Sequence, residues 1–392
     1  MDPLALRRRN ALRVGDETST GQRLDGAVAL VETIDAAAER SGWDEKRGRA
    51  GSSEKAYGIG ASTIMYGVGL GAGGRRLDRA GAFVQIHNDG SVSVAVGTTE
   101  MGQGMRTVLS QIAAEALGVP MERVRMLPVD SSRVPDSGPT VASRATLMSG
   151  NAILDACRRV REPLLEIAAH MMNENAEDLV VGGGVITTVD GAVSVSLDKV
   201  IATAVERRMH LAAQGWFRAP YTSFDENGIG DAYYTYSFMT NIVEVEVDLL
   251  TGDTVVKKIT SAVDIGQPIN PQGVEGQIQG GVLQGMGYGL SEEHVLDGCH
   301  IVNPDFSCYI VPTSLDAPEI DPLIVTSAYD KGPYGAKGLG ELPLMGVAPA
   351  VTNAIYHATG VRVRHAPAKP ERVYQGLVAL GKGVAGLAPQ RS

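Results

Sequence analysis

One carboxylate in this sequence sits among residues suited to chemistry. Glu341 follows Gly335, Gly338 and Gly340 in the stretch KGPYGAKGLGELPL, Lys331 to Leu344. Glycines let the backbone take φ > 0 and approach a ligand closely, because no Cβ intervenes. The four-residue spacing of Val347, Val351 and Ile355 predicts a helix from Val347 to Thr359. Pro343 near its start and Gly360 past its end fit the usual asymmetry of helix boundaries. A glycine loop, a carboxylate and a helix N-terminus in succession suit an anionic ligand with a base beside it. The same residues fit a plainer role, in which Glu341 is only a first-turn acid favoured by the helix dipole.

Three other stretches offer polar groups to a ligand. In GTTEMGQGMRTVLSQIAAEALGVP, Gly97 to Pro120, a strand ends in Gly102-Gln103-Gly104 and a helix starts at once, its buried face marked by Val108, Leu109, Ile112 and Ala116. That layout aims free N–H groups at a phosphate or carbonyl. Neither GxxxxGK[ST] nor GxGxxG is present, so a nucleotide of the ATP or NAD type is poorly supported. Asp130 to Gly150 is a long Ser- and Thr-rich loop, of the kind that is functional or disordered inside a compact domain. It leads into a helix expected from Asn151 to Met171, kinked at Pro163. Pro271 to Glu292 has a helical apolar repeat but carries Gly276, Gly280, Gly281, Gly285 and Gly287 among its glycines, each costing about 1 kcal/mol against alanine in a helix interior. Its bare face suits a flat ligand, with Gln279 and Gln284 as hydrogen-bonding groups, or equally a closely packed helix.

The elements that must hold these stretches read as α+β. Hairpins are expected at Phe83 to Gly97, Val185 to Ser196 and Asn241 to Val263, turning at Asn88-Asp89-Gly90, Asp190-Gly191 and Thr251-Gly252-Asp253. Hairpins alternating with long helices predict antiparallel or mixed sheets. Asp2 to Val14 and Leu24 to Arg40 read as helices with little sheet around them, and Pro370 to Leu380 as a closing helix before a loose end. Ala56 to Gly74 holds seven glycines in nineteen residues, which predicts a cavity-lining loop rather than a regular strand. Met65 and Tyr66, its large central side chains, are candidates for a substrate-facing position, with core packing the alternative.

Composition excludes several classes. A chain of 392 residues can bury a large core as two domains or one with lobes. The net charge of -10 argues against nucleic-acid binding. No run approaches a membrane span and no leader-like segment opens the chain, so a cytoplasmic protein is expected. Cys157, Cys299 and Cys308 form no CxxC pair, so this chain alone holds neither a four-thiolate iron–sulfur cluster nor an all-cysteine zinc site. The histidines lack metal-helix spacing.

GTTEMGQG (Gly97 to Gly104), GPTVASRAT (Gly138 to Thr146), LQGMG (Leu283 to Gly287) and KGLGELPL (Lys337 to Leu344) occur in one order and spacing. Together they resemble the molybdopterin-binding subunit of the xanthine dehydrogenase and aldehyde oxidoreductase family of molybdenum hydroxylases, over nearly the whole chain. The resemblance implies the fold of that family's cofactor-binding domain and a molybdenum–molybdopterin cofactor, in its cytosine dinucleotide form. It makes Glu341 the general base for a water-derived nucleophile. Gly102, Gln103 and Gly104 would bond the pterin, Ala142, Ser143 and Ala145 would close over metal and dithiolene, and Gln284 with Lys337, Gly338, Leu339 and Gly340 would add pterin contacts. The dithiolene holds the metal, so no direct protein ligand is implied.

The family's molybdenum region begins well before the point that Asp2 matches. The chain is therefore expected to be the smaller half of a split subunit, as in nicotinate dehydrogenase-like assemblies. Residues 1–80 would be the remnant of a first cofactor lobe plus the glycine-rich loop, and 81–392 a second cofactor-binding domain with lobes 81–235 and 236–392. The implied partners are a larger molybdopterin-binding subunit and chains carrying [2Fe-2S] clusters and FAD. Arg144 and Ala145 stand where purine-oxidising members differ, and Leu342 replaces a proline. An N-heteroaromatic substrate is expected, nicotinate-like before purine. An aldehyde- or carbon monoxide-oxidising relative, or a scaffold without catalysis, are the alternatives.

Overall fold

The computed structural model describes residues 1–49 and 51–382. The helices are α1 (Pro3–Asn10), α2 (Leu30–Ser41), α3 (Met105–Leu117), α4 (Ala145–Met172), α5 (Leu197–Glu206), α6 (Pro271–Leu290), α7 (Val347–Thr359) and α8 (Pro370–Ala379). Eight strands build two four-stranded sheets: β1 (Lys55–Gly67), β2 (Arg79–Ile86), β3 (Val92–Val96), β4 (Val124–Met126), β5 (Ala212–Arg218), β6 (Tyr236–Asp248), β7 (Thr254–Asp264) and β8 (Glu319–Val325). The loose end expected past Leu380 lies largely outside the described residues.

All three turn signals close antiparallel pairs. Gly90 turns β2 into β3 at φ +79°, and Gly252 turns β6 into β7 at the same φ. Val185–Thr188 pairs with Ser194–Ser196 across Gly191. The first sheet runs β1-β6-β7-β8, with β8 parallel to β7. The second runs β4-β3-β2-β5, with β4 parallel to β3. Mixed sheets with long helices are what hairpin and helix alternation predicted.

Strand alternation sends the two faces of the first sheet into separate cores. On β6, Met239, Val243, Val245 and Val247 pack with α6, α7 and α8. Phe238 and Ile242 face the opposite way, onto Leu4, Leu30, Ile34 and Trp43. The opening helices thus cover one face of the first sheet rather than standing apart from it. The second sheet packs against α3, α4 and α5 around Leu109, Ile112, Ile153 and Val160. Cys157 lies in that core, and burial pushes its thiol up to about 12.

Two expectations are corrected. The glycine-rich stretch from Ala56 forms a regular strand, β1, paired with β6 over thirteen residues from Lys55↔Asp248 to Gly67↔Tyr236. Its glycines make room for a crossing helix. A Cβ on Gly58 would meet the Ala354 carbonyl oxygen at 2.1 Å, and one on Gly60 the Ala354 nitrogen at 2.2 Å. Since both obstacles are α7 backbone, Gly60→Val should destabilise the protein by roughly 3 kcal/mol, the upper end for overpacking. A denaturant midpoint unchanged in the purified variant would contradict this packing account. The second correction is α4, which starts at Ala145 and runs 28 residues, so the Ser- and Thr-rich loop ends six residues earlier than expected.

The glycines of α6 mainly serve close packing. Gly281 lies under Pro343, Gly285 under Leu344 and Val347, and Gly289 under Ala348. Among the described residues no helix is long and apolar enough to cross a membrane.

Candidate functional site

A cavity of about 450 Å³ opens where the two sheets' helices meet the 331–344 loop. Three helix N-termini line it: Met105 and Val108 of α3, Ala145 and Thr146 of α4, and Gln272 and Val274 of α6. A helix N-terminus carries roughly half a positive charge and unsatisfied N–H groups. Those of α4 and α6 favour an anion without any free cation. That matters because the two lining cations are committed elsewhere.

Lys337 is one of these. Its ammonium lies 2.7 Å from Asp264 Oδ2, and both side chains are fully buried. Burial pushes Asp264 up and Lys337 down, each opposed by the partner's charge. Asp264 also accepts the Ala29 and Gly266 N–H groups. Lys337 therefore fastens its loop to β7 instead of reaching a ligand. Arg144 is the other, with all five guanidinium donors taken. Nε donates to Asp78 Oδ1, Nη1 to the Ser137 and Pro139 carbonyls, and Nη2 to those of Leu77 and Arg79. Read from sequence as a marker of substrate choice, Arg144 proves to be a buried pin for the 137–143 loop.

That loop reaches the carboxylate. Ala142 and Ser143 have φ of +53° and +51°, left-handed values that non-glycine residues seldom adopt. This conformation brings the Ala142 N–H to Glu341 Oε1 at 2.9 Å. Ser143 Oγ accepts the Glu341 N–H at 2.9 Å. Tyr66, at the end of β1, donates its hydroxyl to Glu341 Oε2 at 2.8 Å. Gly338 makes the close approach possible, since a Cβ there would meet the Ser143 carbonyl oxygen at 1.9 Å. Glu341, half-buried, is the only acid lining the cavity among the described residues.

The Gly102-Gly104 loop is arranged differently from expectation. Its Gly102 and Gly104 N–H groups donate to Glu100 Oε1 at 2.9 and 3.0 Å, and the Arg106 N–H to Oε2 at 3.0 Å. Burial raises the affinity of Glu100 for a proton, but these N–H donors outweigh it and hold the carboxyl below its usual range. Glu100, two residues before Gly102, is a capping acid that its spacing before α3 would have allowed sequence reasoning to find. Gln103 lines the cavity while its amide binds Thr99 and Met101 locally.

The structure thus brings Gln103, Gly104, Ser143, Ala145, Lys337, Leu339, Gly340 and Glu341 to one cavity. Gly102, Ala142 and Gly338 shape the loops behind them. Gln284 is exposed, two turns beyond the part of α6 that lines the cavity. Tyr66 is 7% exposed and faces Glu341, whereas Met65 points to the opposite side of β1, against the Leu4 and Trp43 core. Among the described residues no group of three His, Cys, Asp or Glu side chains could hold a metal ion. The donors present are helix N-termini, glutamine amides, Thr140 and Ser143. Such a set fits a flat, anionic, hydrogen-bond-rich group that brings its own metal ligands. Met101 and Val141 on the rim are 68% and 44% exposed, leaving an apolar edge open to water.

A family model described as a molybdopterin cofactor-binding domain matches residues 36–318. The xanthine dehydrogenase molybdenum-binding subunit of Escherichia coli O157:H7 is 30% identical over 379 residues, covering 96% of this chain and 49% of that protein. Aldehyde oxidoreductase of Megalodesulfovibrio gigas is 32% identical over 393 residues, 97% of this chain and 39% of that one. Among solved structures, quinoline 2-oxidoreductase from Pseudomonas putida 86 superposes with a TM-score of 0.86 at 27% identity, over 96% of this chain and 50% of that chain. The chain spans about half the length, or less, of the curated relatives it matches.

Proposed function

The chain belongs to the molybdopterin cofactor-binding domain family, and from that premise we propose that it forms one wall of a molybdenum hydroxylase active site with Glu341 as general base. The observation that carries the reading is Glu341 itself, among the described residues the one acid of a cavity lined by helix N-termini, held through both oxygens. When bound, the cofactor supplies a Lewis-acid metal and an acceptor for two electrons, with water as the oxygen source.

The chain's residues divide the remaining work. Glu341 takes the proton from water as the substrate carbon is attacked. Gln103, Gly104, Leu339 and Gly340 would hold the pterin, Ser143 and Ala145 would close the loop over the cofactor, and the N-terminal ends of α4 and α6 would offset phosphate charge. A cytosine dinucleotide form of the cofactor and a cytoplasmic setting are part of this proposal. So is a larger companion half covering the apolar rim at Met101 and Val141, in keeping with the half-length match to relatives. With three cysteines and no CxxC, the chain needs [2Fe-2S] clusters on a partner chain, and the family resemblance adds a partner chain carrying FAD to the proposal.

For substrate we propose an N-heteroaromatic compound, supported by the names of the xanthine and quinoline enzymes it resembles. Arg144 no longer counts against purines, since its guanidinium is fully paired away from any ligand. The 32% identity to an aldehyde oxidoreductase supports an aldehyde as the second reading. Purification of the chain with its companion subunits should give about one molybdenum and one pterin per copy, measured by elemental analysis and pterin fluorescence. An active assembly containing neither would end the proposal.

A further inference from the structure

Four groups close a ring around the carboxylate. The Glu341 N–H donates to Ser143 Oγ at 2.9 Å, Ser143 Oγ donates to Tyr66 Oη at 3.3 Å, and Tyr66 donates to Glu341 Oε2 at 2.8 Å. The Ala142 N–H holds Oε1 from the other side at 2.9 Å. The donors come from separate elements. Tyr66 is placed by β1, in register with Ser237 of β6, while Ala142 and Ser143 stand in left-handed conformation at the end of a loop whose Ser137 and Pro139 carbonyls the buried Arg144 holds. Left-handed non-glycine residues persist only where their surroundings over-determine them. Here the surroundings do so at the carboxylate.

We propose that Tyr66 is a positioning residue of the Glu341 base, its hydroxyl fixing the carboxylate's orientation. The inference rests on the reading of Glu341 as base. Burial raises the affinity of Tyr66 for its own proton, the Ser143 hydroxyl opposes this in part, and the bond to Glu341 raises it again, so the phenol remains a donor across the working range. Because each oxygen accepts one donor, each keeps one free lone pair, and the rotamer presenting it to the cavity is set. Tyr66 touches Glu341 from behind, so removing its hydroxyl should act on kcat and leave KM near its original value.

The test uses the assembled enzyme. Infrared spectra taken at one pH, with those of Glu341→Gln subtracted, follow the carboxylate stretches of this one side chain without requiring turnover. In Tyr66→Phe these stretches should shift and broaden, because Oε2 loses its donor and the rotamer is no longer set. With Tyr66 replaced by 3-fluorotyrosine, a better donor of the same shape, they should shift the opposite way. Molybdenum content and melting temperature should match wild type in both. Unmoved stretches in either properly folded variant overturn the proposal. With nicotinate or benzaldehyde and a dye acceptor, a rise in KM at unchanged kcat would assign Tyr66 to the substrate instead. Turnover surviving in Glu341→Gln would defeat the base itself; turnover lost there with unmoved stretches in Tyr66→Phe defeats only this inference.

Discussion

Glu341→Gln should lower kcat by roughly 10²- to 10⁴-fold, the range lost with a general base, while the assembly keeps its fold and its molybdenum. The second half of that expectation follows from the ring of hydrogen bonds. Glutamine has the volume of glutamate, and its carbonyl oxygen can keep the Ala142 N–H that Oε1 accepts at 2.9 Å. Its amide nitrogen then faces Tyr66, whose hydroxyl can rotate to accept where it formerly donated. The main-chain N–H still reaches Ser143 Oγ. No buried group is stranded, so the change in stability should stay within about 1 kcal/mol. What disappears is the ability to take a proton. Steady-state kinetics, elemental analysis and a melting curve on the same preparation separate the effects. Turnover within tenfold of wild type would remove Glu341 from the chemistry, and loss of molybdenum would make its role structural.

The features legible in the sequence are those whose cause is local. Gly90, Gly191 and Gly252 announce their turns because positive φ is a property of a few adjacent residues. The helix Val347–Thr359 shows in full because its apolar repeat and its terminal Gly360 need no distant partner. Glu341 stood out for the same reason, framed by glycines within a few positions. What was hidden depends on residues far along the chain. Gly58 and Gly60 read as part of a cavity-lining loop until α7 is placed across them, about 290 residues later. Asp78 looks like one more surface acid until Arg144, 66 residues on, is folded beside it. Lys337 reads as a ligand-binding lysine in a glycine loop, and only its contact with Asp264, 73 residues away, shows otherwise. Tyr66 meets Glu341 across 275 residues. Long-range pairs of this kind position the Glu341 carboxylate, which explains why the acid was visible and its holders were not.

Arg144→Met should be strongly damaging, costing at least about 3–5 kcal/mol, because it strands a buried charge. Asp78 is 3% exposed and keeps only the Leu70 and Gly71 N–H groups on its other oxygen. The carbonyls of Ser137, Pro139 and Arg79 lose the donors that Arg144 supplies, and that of Leu77 keeps the Arg79 N–H alone. Such a loss is a large share of the roughly 5–15 kcal/mol that holds a typical domain folded. Arg144→Lys should recover little of it. Lysine has three donors and no planar fork, so at least two of the five acceptors lose the donor that Arg144 gave them, at about 1–3 kcal/mol for each left unpaired. Pairing Arg144→Met with Asp78→Asn should be milder than Arg144→Met alone, since the stranded charge is gone while the asparagine oxygen can still take the two N–H groups. Denaturant melts of the three variants test that order. A single variant as stable as wild type would mean that the pin is dispensable. The consequence should reach the Glu341 carboxylate through geometry. Without Arg144 the 137–143 loop loses its buried anchor, and its end is left to the Gly69 N–H on the Ala142 carbonyl and to the bonds with Glu341 and Tyr66, so the Ala142 N–H should hold Oε1 less firmly.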